Sequence, residues 1–364
     1  MGEKKNDRVM DSGRVRSEFV FVATLVVLAA LLVLTVLVTV TIGSMDISVP
    51  DVYSVIGWEL FHPEALAGFA KGSIHNVVWL VRLPRVILGL GVGMALAVCG
   101  VVMQAIVKNP LADPYVLGIS SGATLGATVA LGLGLGRLLG TQAVGMSAFA
   151  GTLAVSFLVM FISGVGGPAN SVKLVLSGMA IGMLCSAVSN FVIYLINDKN
   201  VTQDITFWSL GSLTNNHWEV VVTVLVVAVV GVAFFWTQHR PLNLMLLGDD
   251  VSITLGTNLN VYRIVYLVIN SFMVAICVYA AGTIGFIGLV IPHIVRMVFG
   301  TDHRKLIPLS ALLGAIFIIW ADVLARMIIP GSEMPIGILI SLVGAPVFIY
   351  MMVRRTYGFG GGAQ

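Results

Sequence analysis

The sequence predicts an all-α integral membrane protein with about ten transmembrane helices. Of its 364 residues, 58% are hydrophobic and 10% are charged, whereas an average soluble domain carries about 25% charged residues. Apolar runs of the length that spans a bilayer, roughly 20 residues, recur along the whole chain. Glycine is abundant, with 40 residues, and several glycines are spaced by four, as at Gly118, Gly122 and Gly126. That spacing lets membrane helices approach closely.

The apolar runs define a ten-helix transmembrane domain over residues 19–353, with tails at 1–18 and 354–364. The first run is longer than the ~7–15 apolar residues of a signal peptide, so we expect it to be retained as a helix. The ten predicted helices cover residues 19–42, 84–106, 115–135, 145–163, 174–196, 218–237, 264–282, 284–299, 308–328 and 336–353.

The distribution of positive charge predicts the orientation. An even number of helices places both termini on one side of the membrane. That side would carry 14 of the 20 lysines and arginines, and the other side would carry 6. Because cytoplasmic loops are enriched in these residues, both termini are expected in the cytoplasm. The longest outer segment, 43–83, then includes a short interfacial helix near Pro50–Phe61, and the longest inner connection is 238–263.

Several functional classes are disfavoured by what the sequence lacks. The net charge of +3 and the absence of a basic patch interleaved with aromatics argue against nucleic-acid binding. No GxxxxGK(S/T) motif is present to bind ATP phosphates. Six scattered histidines and three cysteines in apolar runs predict no catalytic residue, no metal site and no cofactor. A membrane enzyme is therefore disfavoured. An ion-coupled carrier is disfavoured too, since no acidic residue is evident at mid-depth.

Three arginines on the predicted outer side are exceptions to the charge rule. Arg82 and Arg85 flank Pro84 at the start of the second helix, and Arg326 lies near the end of the ninth. Arg82 and Arg85 could dock acidic groups of an external partner or reach lipid headgroups. Arg326 is also four residues from Asp322, so the two side chains can pair, either as local neutralisation or for function.

Two inner loops carry turn residues. The segment Asn109–Pro114 contains two prolines and predicts a rigid, non-helical corner. The second loop is predicted to form two short helices joined by a turn at residues 246–249 and Asp250. This protruding element would contact a cytoplasmic partner. Within the second predicted helix, Gln104 is uncharged but polar, and is a candidate for hydrogen bonding between helices.

These motifs strongly resemble the permease family for iron-siderophores and vitamin B12, the FecCD type of ABC importer. The resemblance rests on four stretches, residues 82–123, 240–256, 282–315 and 321–349. It implies ten helices in which helices 2–5 and 7–10 form two inverted repeats. It also implies four partners: two cytoplasmic ATP-binding subunits, an extracytoplasmic substrate-binding protein, and a second permease subunit, which could be identical or a paralogue.

The resemblance also implies roles for particular residues. The binding protein would dock on Arg82, Arg85 and Arg326. The ATPase would be coupled through the centre of the 238–263 element, at Leu246, Leu247, Gly248 and Asp249. The chain would move a ferric siderophore or related metal chelate across the cytoplasmic membrane by alternating access, driven by the partner ATPases. Haem and cobalamin remain alternative cargoes.

Overall fold

The computed structural model describes residues 3–135, 140, 142–165, 171–215, 217–254, 257–329 and 331–354. The regular secondary structure in these ranges is helical. The ten principal helices are α1 (Glu3–Thr41), α2 (Leu83–Val107), α3 (Ile119–Gly132), α4 (Ala143–Gly164), α5 (Ser171–Ile196), α6 (Trp218–Thr237), α7 (Leu259–Ala281), α8 (Ile287–Phe299), α9 (His303–Met327) and α10 (Ile336–Arg354).

Ten apolar helices confirm the predicted fold class. In the described part of the chain, seven helices are long and apolar enough to cross a membrane, and α3, α8 and most of α10 are shorter apolar helices. α6 coincides with its predicted bounds. α1 begins at Glu3, inside the segment predicted as a tail. Residues 355–364 of the predicted C-terminal tail lie outside the described residues.

Connections between the principal helices also form short helices. The outer segment contains Val49–Phe61, close to the predicted interfacial helix, and a π-helical turn, Val78–Arg82, leads directly into α2. A polar helix, Lys199–Ser209, precedes α6. We call the end where α1 stops and α2 starts the distal end of the bundle, and the opposite end the proximal end.

α2 is the central helix of the bundle, and most of its side chains are buried. Glycine makes this packing possible. A Cβ added at Gly93 would lie 2.3 Å from the carbonyl oxygen of Gly314 in α9, and one at Gly100 would lie 1.9 Å from that of Gly288 in α8. The backbones therefore touch without intervening side chains. By contrast, α1 and α5 expose many large apolar side chains, as expected where helices face lipid.

The connection before α3 turns back into the bundle. Pro114 packs against Gly288, whose added Cβ would also lie 3.0 Å from the carbonyl oxygen of Leu96, near the middle of α2. The predicted corner at Asn109–Pro114 thus does not stay at the surface. It carries Asp113 to mid-depth, so the expectation that no acidic residue lies there was wrong. Hydropathy cannot show this, because a re-entrant loop is polar in sequence and protected by tertiary packing.

The two expected repeats share one irregular feature. In each, the second helix is short: α3 in the first repeat and α8 in the second. α3 follows a short 3-10 turn, Pro114–Leu117, and α8 follows a non-helical segment. The two segments meet inside the bundle, where the backbone N–H of Ile284 donates to the hydroxyl of Tyr115. Broken helices of this kind are tolerated in membranes only when the irregular backbone is covered by protein or lines a cavity.

Candidate functional site

A cluster of four charged side chains joins α2, α9 and the loop before α10 at the distal end. We call Arg85, Asp322, Arg326 and Glu333 the distal charge cluster. Arg85 Nε lies 3.0 and 3.1 Å from the two carboxylate oxygens of Asp322, and its Nη1 lies 2.9 Å from Glu333 Oε2. Arg326 Nε pairs with Asp322 Oδ2 at 3.1 Å. Asp322 therefore holds two arginines at once, and its predicted pairing with Arg326 is confirmed.

Arg82 is held separately, by backbone oxygens. Its guanidinium donates to the carbonyls of Thr41, at 3.0 Å, and of Met45. Gly43 leaves room for it, since a Cβ there would lie 2.7 Å from Arg82 Nε. Arg326 likewise donates to the carbonyl of Ile42, at 3.3 Å. The arginines at the start of α2 and the end of α9 thus fix the end of α1 to the bundle.

The three predicted docking arginines do lie together at one end of the molecule, but they are not open to solvent. Arg82 is 4% exposed and Arg85 is 6% exposed. The most accessible member of the cluster is Glu333, whose side chain is 54% exposed. Sequence reasoning missed Glu333, because it lies in a loop with no periodicity and its partner, Arg85, is far away in the chain.

Three chain segments form a hydrogen-bonded junction beneath the distal end. They are the segment before α6, the α7–α8 break and the start of α10. The Thr283 hydroxyl donates to the carbonyl of Ser209 at 2.6 Å, and the Ser212 N–H donates to that of Ala281 at 2.8 Å. The N–H of Gly337 donates to the Leu210 carbonyl at 3.1 Å. A Cβ on Gly337 would lie 2.1 Å from that same oxygen, so no larger residue fits.

Two cavities lie on opposite sides of this junction. The distal cavity, of about 560 Å³, is lined by Trp208, Gly282 and Pro335, together with residues at the distal ends of α4 and α7. The mid-depth cavity, of about 540 Å³, is lined by the adjoining residues Ser209, Thr283 and Gly337 and by residues of α3, α8 and α10. The junction therefore separates a space at the distal end from a space deeper in the bundle.

The mid-depth cavity is polar on one side. Its lining includes the hydroxyls of Ser120, Thr283 and Ser341 and the carboxylate of Asp113. Asp113 accepts a hydrogen bond from the N–H of Tyr115 at 2.8 Å, which caps the turn before α3. An acidic side chain that faces a cavity inside a membrane protein is a default candidate for function.

A second polar contact joins α2 to α8 nearer the proximal end. The Gln104 amide donates to the carbonyl of Gly288 at 3.1 Å and accepts a hydrogen bond from Arg296 at 2.6 Å. This confirms the expectation that Gln104 bonds between helices. The bond spans two helices that are otherwise held by glycine contacts, so it fixes their register.

The proximal element between α6 and α7 contains two short helices, His239–Leu247 and Asp249–Thr254. Gly248, with φ of 101°, supplies the turn that a side chain would disfavour. Leu246 packs against the core, while Leu247 is 58% exposed. The side chain of Asp249 lies outside the described residues. The exposed leucine beside a glycine turn gives the element an apolar tip.

The same element is tied to the start of α9. Asn243 donates to Asp302 Oδ1 at 2.9 Å and accepts from the backbone N–H of His303 at 2.9 Å. Burial raises the pKa of Asp302, but hydrogen bonds from Asn243 and from the Arg304 N–H outweigh that effect and leave the pKa below its usual range. The carboxylate is thus held ionised as the N-cap of α9.

No metal site emerges from the described residues. Among them, no group of three or more histidine, cysteine, aspartate or glutamate side chains is placed to hold an ion. Cys99, Cys185 and Cys277 are buried and free, which fits their predicted role as small packing residues.

Comparisons with known proteins agree with this architecture. The FecCD transport family matches residues 31–354. The uncharacterized ABC transporter permease protein YvrB of Bacillus subtilis is 39% identical, over 90% of this chain and 92% of its own. The hemin transport system permease protein HmuU of Yersinia pestis is 40% identical, over 76% and 84%. The cobalamin import system permease protein BtuC of Halobacterium salinarum is 37% identical, over 91% and 88%.

A solved structure gives the same result at the level of the fold. It is an inward-facing conformation of an ABC transporter assigned to the metal-chelate type, 28% identical, with a TM-score of 0.77. The superposition covers 92% of this chain and all of the other. The chain therefore belongs to the FecCD transport family and is a multi-pass permease subunit of an ABC importer.

Proposed function

We propose that this permease carries a ferric siderophore, or a related metal chelate, inward across the cytoplasmic membrane. It would do so together with two cytoplasmic ATP-binding subunits, a second permease subunit and an extracytoplasmic binding protein. The chain itself would contribute no ATPase site. Haem and cobalamin are the alternative cargoes, because HmuU and BtuC carry those names.

One observation carries this proposal: two cavities separated by a closed junction, in a fold shared with an inward-facing metal-chelate transporter. Alternating access requires a barrier that opens to one side at a time. The junction at Ser209, Thr283 and Gly337 could serve as such a barrier, because it joins two helix ends, at Ser209 and Gly337, through the non-helical segment that contains Thr283.

The proposed orientation places the proximal end in the cytoplasm. The distribution of lysine and arginine supports it. In this orientation the distal charge cluster faces the binding protein, and the Leu246–Gly248 tip, with Asp249, faces an ATP-binding subunit. Since Arg82, Arg85 and Arg326 are internally bonded, docking through them requires an acidic partner group to replace an internal carboxylate or backbone carbonyl. Glu333 is the group most readily replaced, because it is half exposed.

Glu333→Gln is expected to strengthen docking of the binding protein by about tenfold, roughly the value of one charge-assisted hydrogen bond freed on Arg85. The bidentate pair between Arg85 and Asp322 stays intact, so the fold should be unaffected. The measurement is the dissociation constant of the binding protein for the transporter in lipid nanodiscs. Glu64→Gln, at an exposed outer glutamate outside the cluster, is the matched control. An unchanged constant would remove Arg85 from the docking surface.

Leu247→Asp is expected to reduce ATP-driven transport at least tenfold, because a charge at the apolar tip would weaken contact with the ATP-binding subunit. Folding should be spared, since this leucine is exposed. The measurement is cargo-stimulated ATP hydrolysis by the assembled transporter. Val251→Asp, at an exposed position on the next short helix, tests whether the effect belongs to the tip. Full stimulation in Leu247→Asp would place the coupling contact elsewhere.

The proposed function is tested by ATP-driven uptake in proteoliposomes. The chain is reconstituted with its ATP-binding subunit and binding protein, and it is offered an iron-55 siderophore, haem or cobalamin. Uptake of one ligand that requires ATP and the binding protein would establish the function and the cargo. Uptake driven by an ion gradient without ATPase would instead support a secondary carrier, and it would overturn the proposal.

A further inference from the structure

Both cavities are lined by carboxylates, and this charge limits the class of cargo that they would accept. The distal cavity is lined by two carboxylates, Asp204 and Glu333, and the mid-depth cavity by a third, Asp113. Among the described residues, no lysine or arginine lines either cavity. In the described part of the chain, the aspartate and glutamate side chains on the two sides of the junction are therefore not matched by lysine or arginine in the cavity lining.

The three carboxylates are not equally free to act on cargo. Glu333 is paired with Arg85 at 2.9 Å, so its charge is largely compensated. Asp204 and Asp113 form no ion pair with a lysine or arginine in the described part of the chain. Asp204 is exposed on the polar helix before α6, at the mouth of the distal cavity. These two aspartates are the uncompensated charges, one on each side of the junction.

Asp113 also has a structural role, which accounts for only part of its hydrogen-bonding capacity. One carboxylate oxygen caps the turn before α3 by accepting a hydrogen bond from the N–H of Tyr115. A side-chain amide or hydroxyl could cap the same turn, so the capping role does not require a charge. The charge matters for what enters the cavity, because low-dielectric walls strengthen its field.

The rest of the lining of the mid-depth cavity is mostly apolar, with several hydroxyl groups among the apolar side chains. Those hydroxyl groups belong to Ser120, Ser209, Thr283 and Ser341. The distal cavity adds the ring of Trp208, a surface on which cations and flat apolar groups are stabilised. This combination suits a chelate rich in hydrogen-bond donors and without net negative charge.

We propose that Asp113 and Asp204 select the cargo by charge: the route accepts neutral or cationic chelates that donate hydrogen bonds and disfavours anionic ones. This inference rests on the proposed import function and narrows its substrate class. Trihydroxamate ferric chelates and uncharged, amide-rich corrinoids fall inside the accepted class. Haem, with two carboxylates, and ferric tris-catecholates, with negative charge at the metal, fall outside it.

The test uses ferric trihydroxamate chelates that differ only in a terminal group: a free ammonium, its acetamide or its succinamide carboxylate. Their net charges differ in single steps, while size and metal geometry stay nearly constant. Binding to the assembled transporter in nanodiscs is measured by quenching of Trp208 fluorescence, and the Trp208→Phe variant identifies that signal. Haem is the fourth probe.

The wild type is expected to bind the ammonium chelate about tenfold more tightly than the carboxylate chelate, with the acetamide between them. Asp113→Asn, which keeps an oxygen for the Tyr115 N–H, should shrink that ratio to about threefold or less. Asp204→Asn should reduce it less, because Asp204 is exposed and its charge is better screened. Glu64→Gln should leave it unchanged.

Several outcomes would overturn the proposal. These are equal binding of all three chelates, tightest binding of the carboxylate chelate or of haem, and binding of none of the four probes. A charge preference that survives in both aspartate variants would also overturn it, by placing selectivity elsewhere. Uptake in proteoliposomes is scored separately. ATP-driven import of the carboxylate chelate or haem would therefore leave the import function standing while rejecting charge selection.

Discussion

Asp322→Ala is expected to destabilise the protein by about 3–5 kcal/mol, because it leaves the buried Arg85 and the half-buried Arg326 without their shared carboxylate. Arg85 and Arg326 both pair with this side chain, which is itself almost fully buried. Removing one partner of a buried ion pair costs far more than the pair contributes, since the remaining charges stay desolvated. We expect a much lower thermal unfolding midpoint in detergent and poor recovery from membranes.

The comparison that isolates this effect is Glu333→Ala, which removes the more exposed carboxylate from the same arginine. It should cost well under half as much, because solvent can replace an exposed partner. Asp322→Asn should fall between the two, as it keeps one acceptor and loses the charge. If Asp322→Ala and Glu333→Ala shifted the unfolding midpoint equally, the cluster would contribute packing and not charge compensation.

Gly100→Ala is expected to prevent α2 and α8 from packing and to abolish the folded protein. The added methyl group would lie 1.9 Å from the carbonyl oxygen of Gly288, and backbone atoms cannot rotate away as a flexible side chain can. Overpacking in a close-packed core typically costs about 1–3 kcal/mol, and more where nothing can yield. The measurement is the monodisperse fraction of purified protein on size exclusion.

Gly164→Ala is the matched control for that change. Gly164 ends α4, is exposed, and has no atom within 4 Å of an added Cβ. Alanine there should be neutral or slightly stabilising, since it favours the helix by up to about 1 kcal/mol. Normal folding of Gly100→Ala would mean that α2 and α8 can separate at this level without loss of structure.

The helices were predictable because the bilayer imposes a length and a composition on them. α6 matches its prediction to the residue, and the glycine spacing correctly indicated close helix contacts. Local patterns also located the turn at Gly248 and the pairing of Asp322 with Arg326, since each depends on residues adjacent in the chain or one helical turn apart. Each of these features depends on residues that are close together in the sequence.

What could not be predicted depends on contacts between distant segments. The pairing of Arg85 with Glu333 and the descent of Asp113 to mid-depth both require knowing which helices are neighbours. The arginines show the limit clearly. The charge distribution predicted that the three arginines lie at the same end of the molecule. It did not predict that they are covered, because the sequence does not show which groups pack against each charge. The docking role expected for them is still a prediction.

The tie between Asn243 and Asp302 has a consequence at the far end of the molecule. α9 starts at His303, beside the proximal element, and ends at Met327, one residue beyond Arg326. At about 1.5 Å per residue, its 25 residues reach across roughly 37 Å. A small tilt of this single lever would displace its two ends in opposite directions. In the proposed orientation, an ATP-binding subunit that moves the proximal end of α9 would also move its distal end, where the binding protein is expected to dock. This coupling through one helix would require no change inside the cavities.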